Sequence, residues 1–437
     1  MRVKYTGGRI WDRRTASLIR ADLLAEDGVV LAVGGEASSA RADRVFSLSG
    51  LAVFPGFADV HVHLREPGFS YKETIATGSC ACAGGGYTVV CAMPNLDPVP
   101  DTLAHLAEEQ ALIDRDAVIR VLPFASITVG QKGEGDLVDF AALSGRCVGF
   151  SDDGRGVKTA ETMREAMRRC READGIISAH CEDVSLIPQG AGIHAGRYAA
   201  AHGLPGIPSE SEWGPIARDI GLCRETGCRY HVCHVSTKES VALIRRAKAE
   251  GVDITCETAP HYLLLCEDDL PEDPHAPDAG RFKMNPPLRS REDRDAILEG
   301  LLDGTIDCIA TDHAPHSAEE KHRGLTGSAM GIVGIETAFP LLYTHLVETE
   351  KVPLSVLIDR LCYRPRERFR LGGGIAVGER LELTAFELGV RDTVDPGSFL
   401  SKGRATPFAG WPVHARCAMT VIGERIVWRR ADGGSHV

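Results

Sequence analysis

The sequence predicts an α/β fold: a (β/α)8, TIM-like barrel with a small β-sandwich domain built from both chain ends. Three observations lead there. Eight apolar strand candidates alternate with eight helix-length segments between residues 54 and 374, the pattern of βαβ units around a parallel sheet. The segments 1–53 and 375–437 are instead rich in short β-type runs broken by Gly and Pro, so the two ends are expected to pair with each other. The first barrel strand runs into HVHLREPG, which is not the Gly-rich phosphate turn that an open, doubly wound sheet needs at this place.

The elements follow in order. At the N-terminus, runs such as VVLAV lie between Gly7-Gly8, Asp27-Gly28 and Gly34-Gly35. The barrel strands are read in AVFPGFADVHVH, YTVVCAMP, AVIRVLPFASIT, RCVGFSDD, GIISAHCED, RYHVCHVS, DITCETAPHYLLL and IDCIATDHAP. Helices are expected at 72–83, 102–114, 136–143, 159–173, 209–226, 237–250, 291–303 and 334–349. Two connections are long: residues 184–208, rich in Ala, Gly and Pro, and residues 313–333, polar and Gly-rich. The second follows strand eight on the face where barrel active sites form, the place for a lid. RLELTAFEL, CAMTVIG and RIVWRR supply the C-terminal strands.

Composition narrows the class. A net charge of -12 argues against nucleic acid or an anionic membrane as the main partner. No apolar run approaches the ~18 residues of a membrane span. Met1-Arg2-Val3-Lys4-Tyr5 opens into polar, turn-rich sequence rather than a signal peptide. The 14 cysteines lie mostly in apolar runs and form no C-x-x-C pair. They read as reduced, buried small hydrophobes of a cytoplasmic protein.

The candidate site comes from strand ends. His61 and His63 share one face of the first strand, because side chains alternate. Alone, H-x-H fits a metal-ligand pair or two half-buried histidines equally well. Strand four ends in Asp152-Asp153, strand five near His180, strand six near His234 and strand eight near Asp312. In a barrel these ends meet at one mouth. Four His and two Asp exceed what one tetrahedral zinc takes and suit two metals sharing a bridge. His61, His63 and Asp312 would hold one, His180 and His234 the other, with Asp153 between. Such a pair activates water near neutral pH, and Asp312 is then the natural general base and acid.

Taken together, PGFADVHVHLREPG, Met93-Pro94-Asn95, SDDG (151–154), AHCED (179–183), HVS (234–236), MNPPLR (284–289), ATDHAPH (310–316) and SKGRATPFAGW (401–411) resemble the dihydroorotases of the amidohydrolase superfamily. The resemblance spans about residues 50 to 340. It implies a zinc enzyme, with one or two ions per subunit, that interconverts L-dihydroorotate and N-carbamoyl-L-aspartate in pyrimidine biosynthesis. It implies the metal ligands named above, with Asp312 catalytic. Arg65, Asn95 and His316 are implied around the substrate carboxylate, Asn285 as a further substrate contact, and Ala329, Met330 and Gly331 as the lid segment. A homodimer and an aspartate transcarbamoylase partner are implied as well. The carboxylated lysine that bridges the metals in many superfamily members has no counterpart in RCVGFSDDG, so the chain resembles the Asp-Asp-Gly subgroup, with Asp153 as bridge. Pro260-His261-Tyr262 stands where the family often has Pro-His-His, and no role is carried onto His261. The rivals are a hydantoinase-type cyclic-amide hydrolase, which normally uses the bridging lysine, and a non-catalytic scaffold that has lost its ligands.

Overall fold

The computed structural model describes residues 1–430; the end of the predicted C-terminal segment, 431–437, lies outside the described residues. The strand Phe57–Val62 pairs in parallel with Tyr87–Ala92, and that strand pairs with Arg120–Pro123. Ala125 bridges to Phe150 and Phe150 to Ile177, also in parallel. The order continues through Ile177–Ala179, Tyr230–Val232, Ile254–Thr258 and Cys308–Ile309. A parallel bridge from His313 to Val62 brings the pairings back to the first strand.

The interior of this ring is packed. Ala58, Val60, Val89, Cys91, Phe124, Cys233, Cys308 and Ala310 form one buried cluster. A second, larger cluster joins the outer strand faces to the helices. The helix Ala160–Glu172 shows why: Met163, Ala166, Met167 and Cys170 recur at helical spacing and are the residues it buries. Helix starts are set by side-chain caps. Thr74, Thr102, Thr159, Thr237 and Ser290 each accept the backbone N–H three residues on. Each such cap is worth about 1 kcal/mol.

Strands from the two chain ends share one six-stranded sheet, in the order Arg425–Arg429, Pro412–Ile422, Glu382–Thr393, Ala52–Pro55, Arg9–Asp12 and Ser17–Arg20. A four-stranded sheet of Arg2–Thr6, Leu23–Glu26, Val29–Val33 and Arg44–Ser47 contributes Val3, Tyr5 and Leu23 to a core that also takes Val53, Leu383 and Val421 of the first. Glu382 ties this body to the ring. It is fully buried and meets Arg120 at 2.7 Å and Arg366 at 2.9 Å.

Four expectations change. AVFPGFADVHVH is two strands, broken at Gly56, where a Cβ would lie 2.2 Å from the Thr88 side chain. The segment 146–153 forms no ladder of its own and joins its neighbours through Phe150 alone. DITCETAPHYLLL stops as a strand at Thr258, because Pro260, with no N–H to give a ladder and φ preset for a helix, opens the helix Pro260–Leu264. The 184–208 connection carries a small two-stranded ladder of Ile193–His194 and Gly206–Ile207 around the helix Arg197–His202. The 14 cysteines are free, and all but Cys80 and Cys147 are buried.

Candidate active site

The ends of the ring strands bring six side chains to one point. Asp153 Oδ1 lies 3.4 Å from His61 Nε2, 3.5 Å from His180 Nδ1 and 3.6 Å from His234 Nε2. Asp312 Oδ1 lies 3.1 Å from His63 Nε2 and 3.5 Å from His61 Nε2. Asp153 Oδ2 is 3.7 Å from His63 Nε2. Two triads, His61–His63–Asp312 and His61–Asp153–His234, each present ligand atoms within 4.8 Å of one another. His180 Nδ1 and His234 Nε2 stand 3.0 Å apart.

The backbone is bent to achieve this. Arg65, His234 and Asp312 have φ of 62°, 35° and 47°, in the left-handed region that non-glycine residues rarely adopt. Strain of this kind costs on the order of 1–3 kcal/mol per residue and collects at functional sites.

The donor set fits a divalent cation. His61 Nε2 and Asp153 Oδ1 are buried and have no hydrogen-bond partner among the described residues, an arrangement that costs roughly 1–3 kcal/mol if nothing compensates it. Imidazole nitrogens with carboxylate oxygens are the ligands zinc prefers. The electrostatics point the same way. Burial alone would raise the Asp153 carboxyl, but the surrounding His61, His180 and His234 hold it well below the ordinary range. Burial opposes charge on His180, yet Asp153 and Glu182 lift its imidazole to about 10. This pocket therefore attracts positive charge.

A further layer orients the ligands, and sequence reasoning missed most of it. Glu257, fully buried, accepts from His61 Nδ1 at 2.7 Å and from His231 Nε2 at 3.0 Å. A carboxylate only accepts, so the His61 proton sits on Nδ1 and its Nε2 lone pair faces the site. A lone Glu inside the apolar strand Ile254–Thr258 was the signal available for it. Asp59 accepts from Thr311 N and Oγ1, at 3.0 and 2.6 Å, tying the first strand to the last. The adjacent Asp152 and Asp153 do different things. Asp152 accepts from the backbone of Ile127 and Thr128 and turns away from the histidines. His261 is buried, with Nε2 unpartnered and its imidazole pushed down to about 4 by burial.

The substrate-side candidates surround this centre at different depths. Arg65 donates through Nε to the Pro315 carbonyl at 3.2 Å, and its Nη2 is 3.4 Å from His316 Nε2. Asn95 spends Nδ2 on the Asp153 carbonyl at 2.8 Å, so the group it leaves free is the buried acceptor Oδ1. Asn285 likewise spends Nδ2 on Glu182 at 2.9 Å and keeps Oδ1 free. The 313–333 connection is an ordered flap with two one-turn helices, Ala318–Lys321 and Gly324–Gly327. Met330 O accepts from His316 Nε2 at 2.7 Å. Gly331 has φ 133° and packs so closely that a Cβ would meet Ala314 O at 2.7 Å and His316 Nε2 at 3.0 Å. Both backbone groups of Ala329 are used inside the flap, by Glu320 O and Lys321 Nζ, not toward the metal ligands.

A family model described as "Dihydro-orotase-like" matches residues 50–240. A dihydroorotase of Geobacillus sp. (strain WCH70) is 51% identical over 94% of this chain and 95% of its own length. The chain belongs to the dihydroorotase family. One of Bacillus cereus (strain B4264), 46% identical, covers 98% of this chain and 99% of its own. Among solved structures, the L-hydantoinase (dihydropyrimidinase) of Arthrobacter aurescens superposes with TM-score 0.87 at 25% identity, over 100% of this chain and 97% of that one. The dihydropyrimidinase of Brevibacillus agri NCHU1002 gives 0.83 at 22% identity, over 98% and 95%, and is evidence of fold alone. Family membership makes this chain a hydrolase of the amidohydrolase class with a metal cofactor. Among the described residues, no helix is long and apolar enough to cross a membrane.

Proposed function

We propose that the metal is zinc and that the chain acts as a dihydroorotase, interconverting L-dihydroorotate and N-carbamoyl-L-aspartate in de novo pyrimidine (UMP) biosynthesis. The observation that carries this reading is the nearness of two charge patterns. The acceptor-rich ligand set, His61, His63, Asp153, His180, His234 and Asp312, lies beside a cationic corner made by Arg65 and the His316 N–H. A cyclic amide bearing one carboxylate needs both. In this reading His61, His63 and Asp312 would hold one ion, and His180 and His234 a second, with Asp153, which stands where many relatives have a carboxylated lysine, as a ligand available to both. When bound, the metal makes water acidic enough to react near neutral pH and polarises the amide carbonyl.

The chain's own residues do the rest. Arg65 presents a planar fork to the substrate carboxylate, and His316 a further donor. The free Oδ1 atoms of Asn95 and Asn285 are acceptors suited to ring N–H groups. Burial acts to raise the Asp312 carboxyl, but the His63 hydrogen bond and the neighbouring histidines hold it below the ordinary carboxylate range. It can take a proton from the attacking water and return it to the leaving ring nitrogen. The flap carrying Ala329, Met330 and Gly331 then covers the site and excludes water.

The closed ring of parallel pairings is read as the eight-unit barrel, residues 54–374, and the two sheets of the chain ends as the small β-sandwich, 1–53 with 375–437. A cytoplasmic homodimer with an aspartate transcarbamoylase as candidate partner belongs to the same reading. The test is turnover of L-dihydroorotate and hydantoin side by side, with metal analysis of the purified protein. Dihydroorotate turnover by a zinc-containing protein is expected. Hydantoin turnover without dihydroorotate turnover would overturn the substrate assignment.

A further inference from the structure

His316 reveals its own protonation state. Its Nε2 lies 2.7 Å from the Met330 carbonyl oxygen, an acceptor only, so Nε2 carries a hydrogen. Its Nδ1 lies 3.2 Å from Lys72 Nζ, a donor only, so Nδ1 offers a lone pair. Glu320 Oε2, at 3.6 Å from Nδ1, is beyond hydrogen-bond reach. Arg65 Nη2, 3.4 Å from Nε2, is a second donor facing a donor and adds only its charge. The imidazole is thus neutral, in the Nε2–H form, between two cations. Burial first, then Arg65 and Lys72, pushes it down to about 3.

Lys72 is itself held in place. Its ammonium meets Glu320 Oε1 at 2.9 Å and sits 5.7 Å from the Phe69 ring centroid and 5.5 Å from that of Tyr71. Glu320 is fixed in turn by the Ser317 N–H at 3.0 Å and by the Tyr71 hydroxyl at 3.3 Å. Lys321, the remaining charged neighbour, is turned to the carbonyls of Lys283 and Ala329.

We propose that Lys72 is a positioning residue for the reaction: it locks His316 in the neutral Nε2–H tautomer, so that the nitrogen beside Arg65 is always a hydrogen-bond donor. In this structure that N–H rests on Met330 O, and the substrate carboxylate takes the place of this carbonyl. Without the Lys72 N–H, neutral His316 can put its hydrogen on Nδ1 and present a lone pair to a carboxylate, which repels it. The same loss removes one of the two cations that keep the ring neutral. This inference rests on the proposed reading that His316 faces the substrate carboxylate.

The test is 15N spectroscopy of the histidine rings in the zinc-loaded protein, with His316→Gln to assign the signal. In the wild type, His316 is expected to show a lone-pair Nδ1 and a protonated Nε2, unchanged between about pH 6 and 8, where a free histidine titrates. In Lys72→Met the ring should populate both tautomers, while burial and Arg65 still keep it neutral across that range. The KM for dihydroorotate should rise about tenfold at both pH 8 and pH 6, with kcat changed much less. Lys72→Arg, which keeps a donor and a charge, should restore most of the wild-type tautomer and KM. A wild-type His316 that titrates near its ordinary value, or carries its hydrogen on Nδ1, overturns the proposal whether or not any variant folds. So does a Lys72→Met spectrum and KM profile identical to wild type. The ring signature needs no substrate, so a wild type that fails to turn over dihydroorotate fells the functional reading and leaves the tautomer lock to be judged by the spectra.

Discussion

Replacing Glu257 by Gln tests whether metal affinity depends on a residue that is not itself among the proposed ligands. Glu257 is fully buried and accepts from His61 at 2.7 Å and His231 at 3.0 Å. Gln keeps the volume and one acceptor, but loses the charge that stabilises positive character on His61. Its NH2 group must then face one of the two ring N–H donors, so one histidine has to flip or lose its bond. If the flipped ring is His61, its Nε2 no longer offers a lone pair to the site. Loss of an outer partner of a metal-bound histidine typically weakens metal binding about 10- to 100-fold, roughly 1.4 to 2.7 kcal/mol. The assay is competition for zinc with a chromophoric chelator, with unfolding of the metal-free protein measured in parallel. We expect the weakened affinity, and activity restored by excess zinc. A variant whose zinc affinity stays within twofold of wild type would refute the argument that this carboxylate sets the His61 tautomer.

Three other outcomes follow from the same geometry. Asp312→Asn should lower kcat by about 10²-fold or more while the folded protein persists, read by steady-state kinetics and circular dichroism; near-normal turnover would remove Asp312 as the base. Gly331→Ala places a methyl group against Ala314 O and His316 at a φ of 133°, so it should destabilise by about 1–3 kcal/mol and raise KM more than it lowers kcat. Glu109 is 2% exposed, its Oε2 has no partner among the described residues, and burial pushes its carboxyl well above the ordinary range. The folded state therefore keeps a proton that the unfolded chain releases, and stability falls as pH rises above about 4.5. Glu109→Gln should remove that slope, gaining about 1–3 kcal/mol at pH 7 and nothing below about pH 4, measured by urea unfolding across pH.

Much of the site was legible because its chemistry is carried by residue types at strand ends. The period of two put His61 and His63 on one face without any coordinates, and the βαβ alternation told which strand ends would be neighbours. The Asp-Asp pair shows the limit. Sequence treats Asp152 and Asp153 alike, yet the backbone turns one to the N–H groups of Ile127 and Thr128 and the other to three histidines. Which of two adjacent side chains enters a site depends on the dihedral angles of the loop they share.

The sequence by itself determined the alternating α/β architecture, the sheet-forming ends, the histidine and aspartate set at the strand ends, and the family resemblance. Those follow from periodicity and residue chemistry, which are local. Only the tertiary structure decided that Glu257 holds His61, that Asn95 is left with a buried free acceptor rather than a donor, and that Lys72 and Met330 divide the two nitrogens of His316. Those are contacts between segments up to 244 residues apart. Hydrogen-bond direction is set by which donor meets which acceptor in space, and no local pattern in the chain encodes it.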